Sequence, residues 1–156
     1  MIKKNITYVD FNGEERTDPF YFNLSKAELM DIELDYNGNM STAMNTMLER
    51  RDMKGVLGLL SKLIRKAYGE KSEDGKRFLK NKELEDGFAT TDAFSNLLIE
   101  LVNDEKKLEA FVTGVIPADM REEVEKRMEE SREAEAPKKP EPKVVELPKS
   151  DPIEMN

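Results

Sequence analysis

The sequence predicts an α+β fold that is mostly α: an N-terminal β-hairpin packed on a bundle of about five to six short helices, with a disordered C-terminal tail. Three observations carry this expectation. Strand-forming residues flank an Asn12-Gly13 turn near the start. Apolar residues then recur at steps of three and four, behind capping residues. Beyond residue 131, proline, lysine and glutamate take over. The expected division is therefore 1–131 for the hairpin plus helical domain and 132–156 for the tail.

The 156 residues suffice for one modest domain and an extension, and they are 37% charged with a formal net charge of -8. The acidic balance opposes unaided binding to nucleic acid or to an anionic membrane, since both present negative charge. No apolar run is long enough to cross a bilayer, and Met1-Ile2-Lys3-Lys4 leads into a polar stretch rather than a signal core. The sequence holds neither cysteine nor histidine. That removes disulfides, thiolate catalysis and the commonest acid–base group and metal ligand.

Taken in order, Ile6–Phe11 and Phe20–Phe22 favour strand. A two-residue Asn-Gly loop would split their apolar side chains between two faces. A three-residue loop, Phe11-Asn12-Gly13 with Gly13 left-handed, pairs even positions with even. Ile2, Ile6 and Tyr8 then share a face with Phe20, Phe22 and Leu24. Pro19 cannot donate to a ladder, which predicts an edge or a bulge. Ser25-Lys26-Ala27-Glu28 is a capping box that opens a helix carrying Leu29, Ile32, Leu34 and Tyr36, ending near Asn37-Gly38. A second helical piece from about Ser41 presents Met40, Met44, Met47 and Leu48 on one side.

The central helix is Asp52–Tyr68, with Met53, Val56, Leu57, Leu60, Leu63 and Ile64 in its apolar stripe, extended by Ala67 and Tyr68. Asp52 is its expected N-cap and Gly69 its left-handed stop, while Gly55 and Gly58 allow close approach of a neighbour. A polar loop follows from Gly69 to Lys76. Residues 76–86 are read as a short helix with Phe78, Leu79 and Leu84. Thr90 or Thr91 caps the next helix, with Ala93, Phe94, Leu97, Leu98, Leu101 and Val102. Asp104 caps another, with Leu108, Phe111, Val112, Val115 and Ile116, which Pro117 breaks. Residues 118–131 form a charged helix with the narrow line Met120, Val124 and Met128. In the tail, Val144, Val145, Leu147 and Ile153 interrupt the charges.

Chemistry is absent from the motifs. No GxSxG, Walker loop or GxGxxG turn occurs. Glu33, Asp35, Asn37 and Gly38 imitate part of a calcium loop, but Met44 stands where the final bidentate glutamate belongs, and a helix-ending turn explains them better. Glu70, Glu73 and Asp74 have nothing to desolvate them. Lys62, Arg65, Lys66, Lys71, Lys76 and Arg77 could attract an acidic segment, with a solvated face as the plainer reading. No catalytic residue, cofactor or metal is expected. The partner-binding candidates are the adaptable methionine face, Met40, Met44, Met47 and Leu48, together with Val144, Val145 and Leu147.

Three stretches carry a family resemblance: Asn5 through Leu29, Ala67-Tyr68-Gly69-Glu70-Lys71-Ser72-Glu73-Asp74-Gly75-Lys76-Arg77-Phe78, and Phe111-Val112-Thr113-Gly114-Val115-Ile116-Pro117. In that order, over roughly residues 1–117, the chain resembles the tail assembly chaperones of long-tailed phages and prophages of Gram-positive bacteria. The methionine-rich segment Asn39–Met53 is where it departs from them. The resemblance implies a non-enzymatic protein of the host cytoplasm during assembly, not retained in the mature virion. It would bind the tape measure protein, keep it soluble and assist polymerisation of the tail tube protein around it. It also implies a longer, frameshifted form of the same chain. An ordered ring or stack of copies is compatible with the sequence. The competing expectation is an acidic adaptor or anti-repressor-like protein that binds a basic regulatory partner, although the interspersed Lys and Arg disfavour charge mimicry.

Overall fold

The hairpin forms in the register that the glycine position requires. In a computed structural model, which describes residues 1–135, strands β1 (Ile2–Val9) and β2 (Glu15–Phe22) pair from Ile2↔Phe22 to Val9↔Glu15, even with even. Gly13 sits at φ +83°, the left-handed conformation that closes a three-residue loop. The Asp10 carboxylate accepts hydrogen bonds from the Asn12 and Glu14 backbone N–H groups and so shapes the loop from inside. Ile2, Ile6, Tyr8, Phe20 and Phe22 point to one face and pack into the core.

The sheet has four antiparallel strands in the order β1-β2-β3-β4. Strands β3 (Tyr68–Lys71) and β4 (Phe78–Leu79) replace the expected polar loop and the start of the expected 76–86 helix. Their connection is a tight turn in which Ser72 and Asp74 hydrogen-bond each other and Gly75 takes φ +69°. Only Tyr21 and Phe22 of β2 pair with β3, so this side of β2 is an open edge beside Pro19.

Helix α1 (Lys26–Asp35) opens on the complete Ser25–Glu28 capping box. Leu29 and Ile32 are buried, but Leu34, expected on the same stripe, is 74% exposed because it lies about half a turn round from Ile32. Asn37 and Gly38 turn the chain at positive φ, and the Glu33 carboxylate accepts from the Met40 N–H. The calcium-like spacing is thus a helix-to-helix turn. Helices α2 (Met40–Glu49) and α3 (Met53–Ala67) follow, the latter capped by Asp52 as expected.

α3 is the central buried element, through Val56, Leu59, Leu60, Leu63, Ile64 and Ala67. Leu59 was missing from the sequence stripe, while Met53 and Leu57, included in it, are exposed. Gly69 does not end this helix in a left-handed turn. Tyr68 is already extended and the chain runs straight into β3. Gly69 is needed for another reason: a Cβ there would lie 2.6 Å from the Phe78 ring and 2.7 Å from the Leu79 carbonyl oxygen. Gly58 has open space around it, so no neighbour requires it.

Helices α4 (Lys82–Ala89), α5 (Asp92–Asn103) and α6 (Glu105–Val115) are capped by Asn81, Thr91 and Asp104. A single 3-10 turn, Ala118–Met120, follows Pro117 and leads into α7 (Arg121–Glu135), which buries Val124. Where β2 ends, Asn23 N–H donates to the Ala67 carbonyl and Leu24 N–H to the Val115 carbonyl. These bonds tie the hairpin to the C-termini of α3 and α6. Lys80 bridges the same junction: its ammonium donates to the Asn23 and Lys66 carbonyls and to the Glu28 carboxylate. Burial pushes the Glu28 carboxyl up, but the bonds from Lys80 and the Ser25 N–H outweigh it and leave its pKa below the ordinary value.

Three substitutions test this packing. A Cβ on Gly114 would meet Ile2 Cγ2 at 2.3 Å, so Gly114→Ala should destabilise by about 1–3 kcal/mol in urea unfolding. Gly58→Ala, in open space on the same measurement, should stabilise by up to about 1 kcal/mol. Lys80→Met should cost about 1–3 kcal/mol near neutral pH by stranding three acceptors. Because the folded Glu28 pKa is depressed, the stability it contributes is present above the ordinary glutamate range and lost as pH falls through the folded value. The gap between wild type and Lys80→Met should therefore narrow on acidification below the ordinary glutamate range.

Candidate groove between helices α2, α3 and α6

Helix α2 packs on α3 and α7. Along its remaining side a groove opens towards α6. Met40, Met44 and Leu48, spaced by four, form one wall. Leu59 and Leu63 of α3 form the floor, and Leu108 and Val112 of α6 form the opposite wall. Ser41 and Asn45 soften the α2 side with small polar groups, while Glu105 and Glu109 sit along the α6 side. The cavity volume is about 70 Å³, far below the ~300–1,000 Å³ of small-molecule pockets. The shape suits side chains of another polypeptide segment entering from outside.

The sequence candidates divide here. Met40 is buried at the base of the wall, Met44 is partly buried and Leu48 is exposed at the rim. Met47 does not share this face: it turns to the first turn of α3, where a Cβ on Gly55 would fall 3.0 Å from its sulfur. Leu59, Leu63, Leu108 and Val112 were not linked to the methionines in the sequence, because helical periodicity places residues on a face without saying which helices meet. Val144, Val145 and Leu147 lie outside the described residues.

Four of the basic candidates are engaged within the fold. Lys62 pairs with Asp35, Lys66 with Asp31, and Arg65 with Asp86 and Glu85. The basic face of α3 is thereby engaged by carboxylates of α1 and α4, and Lys66 holds Asp31 below the usual carboxylate range. Lys71 lies over the Tyr21 ring. Tyr68 is pushed up to about 12, chiefly by burial and then by the nearby Glu70 charge; its ring stacks on Phe88 at 4.1 Å between centroids. Among the described residues, no group of three or more Asp and Glu could hold a metal ion, and no helix is long and apolar enough to cross a membrane.

The chain matches a family described as phage tail assembly chaperone over residues 1–155. No curated protein and no solved structure matches it.

Two substitutions separate the buried base of this wall from its exposed rim. Leu48→Ser should leave stability within about 0.5 kcal/mol, as expected for a rim residue. Met40→Ala should cost about 2–5 kcal/mol, as expected for a buried side chain over the core. Thermal or urea unfolding of both variants checks the burial gradient of the groove wall.

Proposed function

The chain belongs to the phage tail assembly chaperones, and from that premise we propose that its groove between α2 and α6 holds apolar segments of the tape measure protein. The observation that carries the reading is the open apolar cleft itself, walled by Met40, Met44 and Leu48 and floored by Leu59 and Leu63. A tape measure is a long helical chain whose apolar stripes need cover before the tube surrounds it. Helix-in-groove recognition uses side chains at i, i+3 and i+4, and a methionine wall adapts to segments of different sequence. The net charge of -8 favours a soluble complex. In this role the chaperone acts in the host cytoplasm, keeps its partner from aggregating while the tail tube protein polymerises, and leaves before the virion is complete. No step in it requires bond chemistry.

The test is co-expression with the tape measure protein followed by size-exclusion chromatography. Wild type should co-elute with a partner that is insoluble alone. Met44→Asp should weaken binding at least tenfold, a loss of about 1.4 kcal/mol or more. Leu34→Asp, on the exposed face of α1 away from the groove, should bind as wild type. Undiminished co-elution of Met44→Asp would remove the groove from the reading.

A further inference from the structure

The groove also fits a ligand that the chain carries itself. α7 packs on α2, the helix that walls the groove, and buries Val124. From Val124 to Glu135 the helix advances about 16 Å at ~1.5 Å per residue. The ten residues from Glu135 to Val145 span up to ~33 Å when extended, about twice what is needed to return along α7. Pro137, Pro140 and Pro142 in this stretch favour an extended chain. Between Pro142 and Pro148 lies Lys143-Val144-Val145-Glu146-Leu147, too short for a stable helix.

We propose that Val145 and Leu147 occupy the α2–α6 groove in cis, as an internal competitor for the apolar partner. The spacings agree. Residues two apart in an extended chain are ~6.6 Å apart, and the methionine rungs of α2, four residues apart, are ~6 Å apart. Val145 and Leu147 can therefore enter successive gaps along Met40, Met44 and Leu48. The charges agree as well. Residues 137–149 carry Lys138, Lys139, Lys143 and Lys149 against Glu141 and Glu146, an excess of two positive charges in a chain of net charge -8. As the occupant, this basic segment would meet the groove side that bears Glu105 and Glu109. A second whole copy would bring the same net negative charge to the groove, which disfavours it as the occupant. The tethered segment is present at about millimolar effective concentration. Weak, millimolar binding is then enough to cover the groove part of the time and yield to a partner.

The proposal rests on the groove as a binding site for apolar side chains, and its test reads the groove directly. Methionine-methyl NMR of the full chain is compared with that of the full-length double variant Val145→Asp, Leu147→Asp. The resonance of Met44, identified through Met44→Leu, should shift in the variant. That of Met30, exposed on α1, should not. The variant should also bind the tape measure protein about two- to tenfold more tightly, because the competent fraction rises. An unshifted Met44 overturns the cis occupant even if the partner still binds. A Met44 shift whose size depends on protein concentration overturns it too, because the occupant is then a neighbouring copy. A shifted Met44 with no tape measure binding supports the cis occupant and removes the partner reading instead.

Discussion

The structure depends on one packing event, the burial of the hairpin's inner face against the helices. Phe22 is fully buried and lies within 6.0 Å, centroid to centroid, of Tyr68, Phe88 and Phe111. Those rings come from the start of β3, from α4 and from α6, so one side chain joins three segments that are distant in sequence. Phe20 extends the cluster to Tyr8, and Phe94 extends it into α5. Aromatic pairs in such edge and tilted arrangements add about 0.5–1.5 kcal/mol each beyond their buried area. The two backbone bonds from Asn23 and Leu24, and the Lys80 bridge, satisfy polar groups at the edge of this apolar contact. Gly114 leaves room for the Ile2 side chain, and Gly69 for the Phe78 ring and the Leu79 carbonyl.

The groove is a consequence of that arrangement. The aromatic cluster gathers α3, α4, α5 and α6 at the hairpin end of the molecule. α2 is attached at a distance from it, by the Glu33 and Asn39 caps at one end and the Asp52 turn at the other. α6 turns its buried Phe111 and Val115 to the core and its Leu108 to the groove. A gap between α2 and α6 remains, filled on one side by side chains that can change rotamer.

Much of this was legible in the residues because it depends on local chemistry. The even-with-even hairpin register follows from Gly13, and the caps at Ser25, Asp52, Thr91 and Asp104 follow from side-chain acceptors ahead of apolar runs. β3 and β4 were missed because they are very short and are held by tertiary pairing, β3 to β2 and β4 to β3, rather than by their own strand propensity. The same pairing made Tyr68 extended, where the sequence pointed to a helix ended by glycine. Leu59 and Leu34 exchanged roles between core and surface because the apolar content of α1 and α3 is wider than the stripe each buries. The methionine face was visible, but its partner walls on α3 and α6 were not, since no local pattern states which helices meet. The basic face of α3 read as a solvated face that could attract an acidic segment, and the structure places carboxylates of α1 and α4 against it.

The central claim is that a tail assembly chaperone holds its apolar partner between α2 and α6. Amide hydrogen exchange on the chaperone, free and bound to the tape measure protein, tests it most directly. The account predicts slower exchange confined to residues 40–49 and 105–112, with the hairpin loop around the 86%-exposed Phe11 unchanged. Protection of the hairpin loop or of the Met30–Leu34 face, with α2 and α6 unaffected, would contradict it.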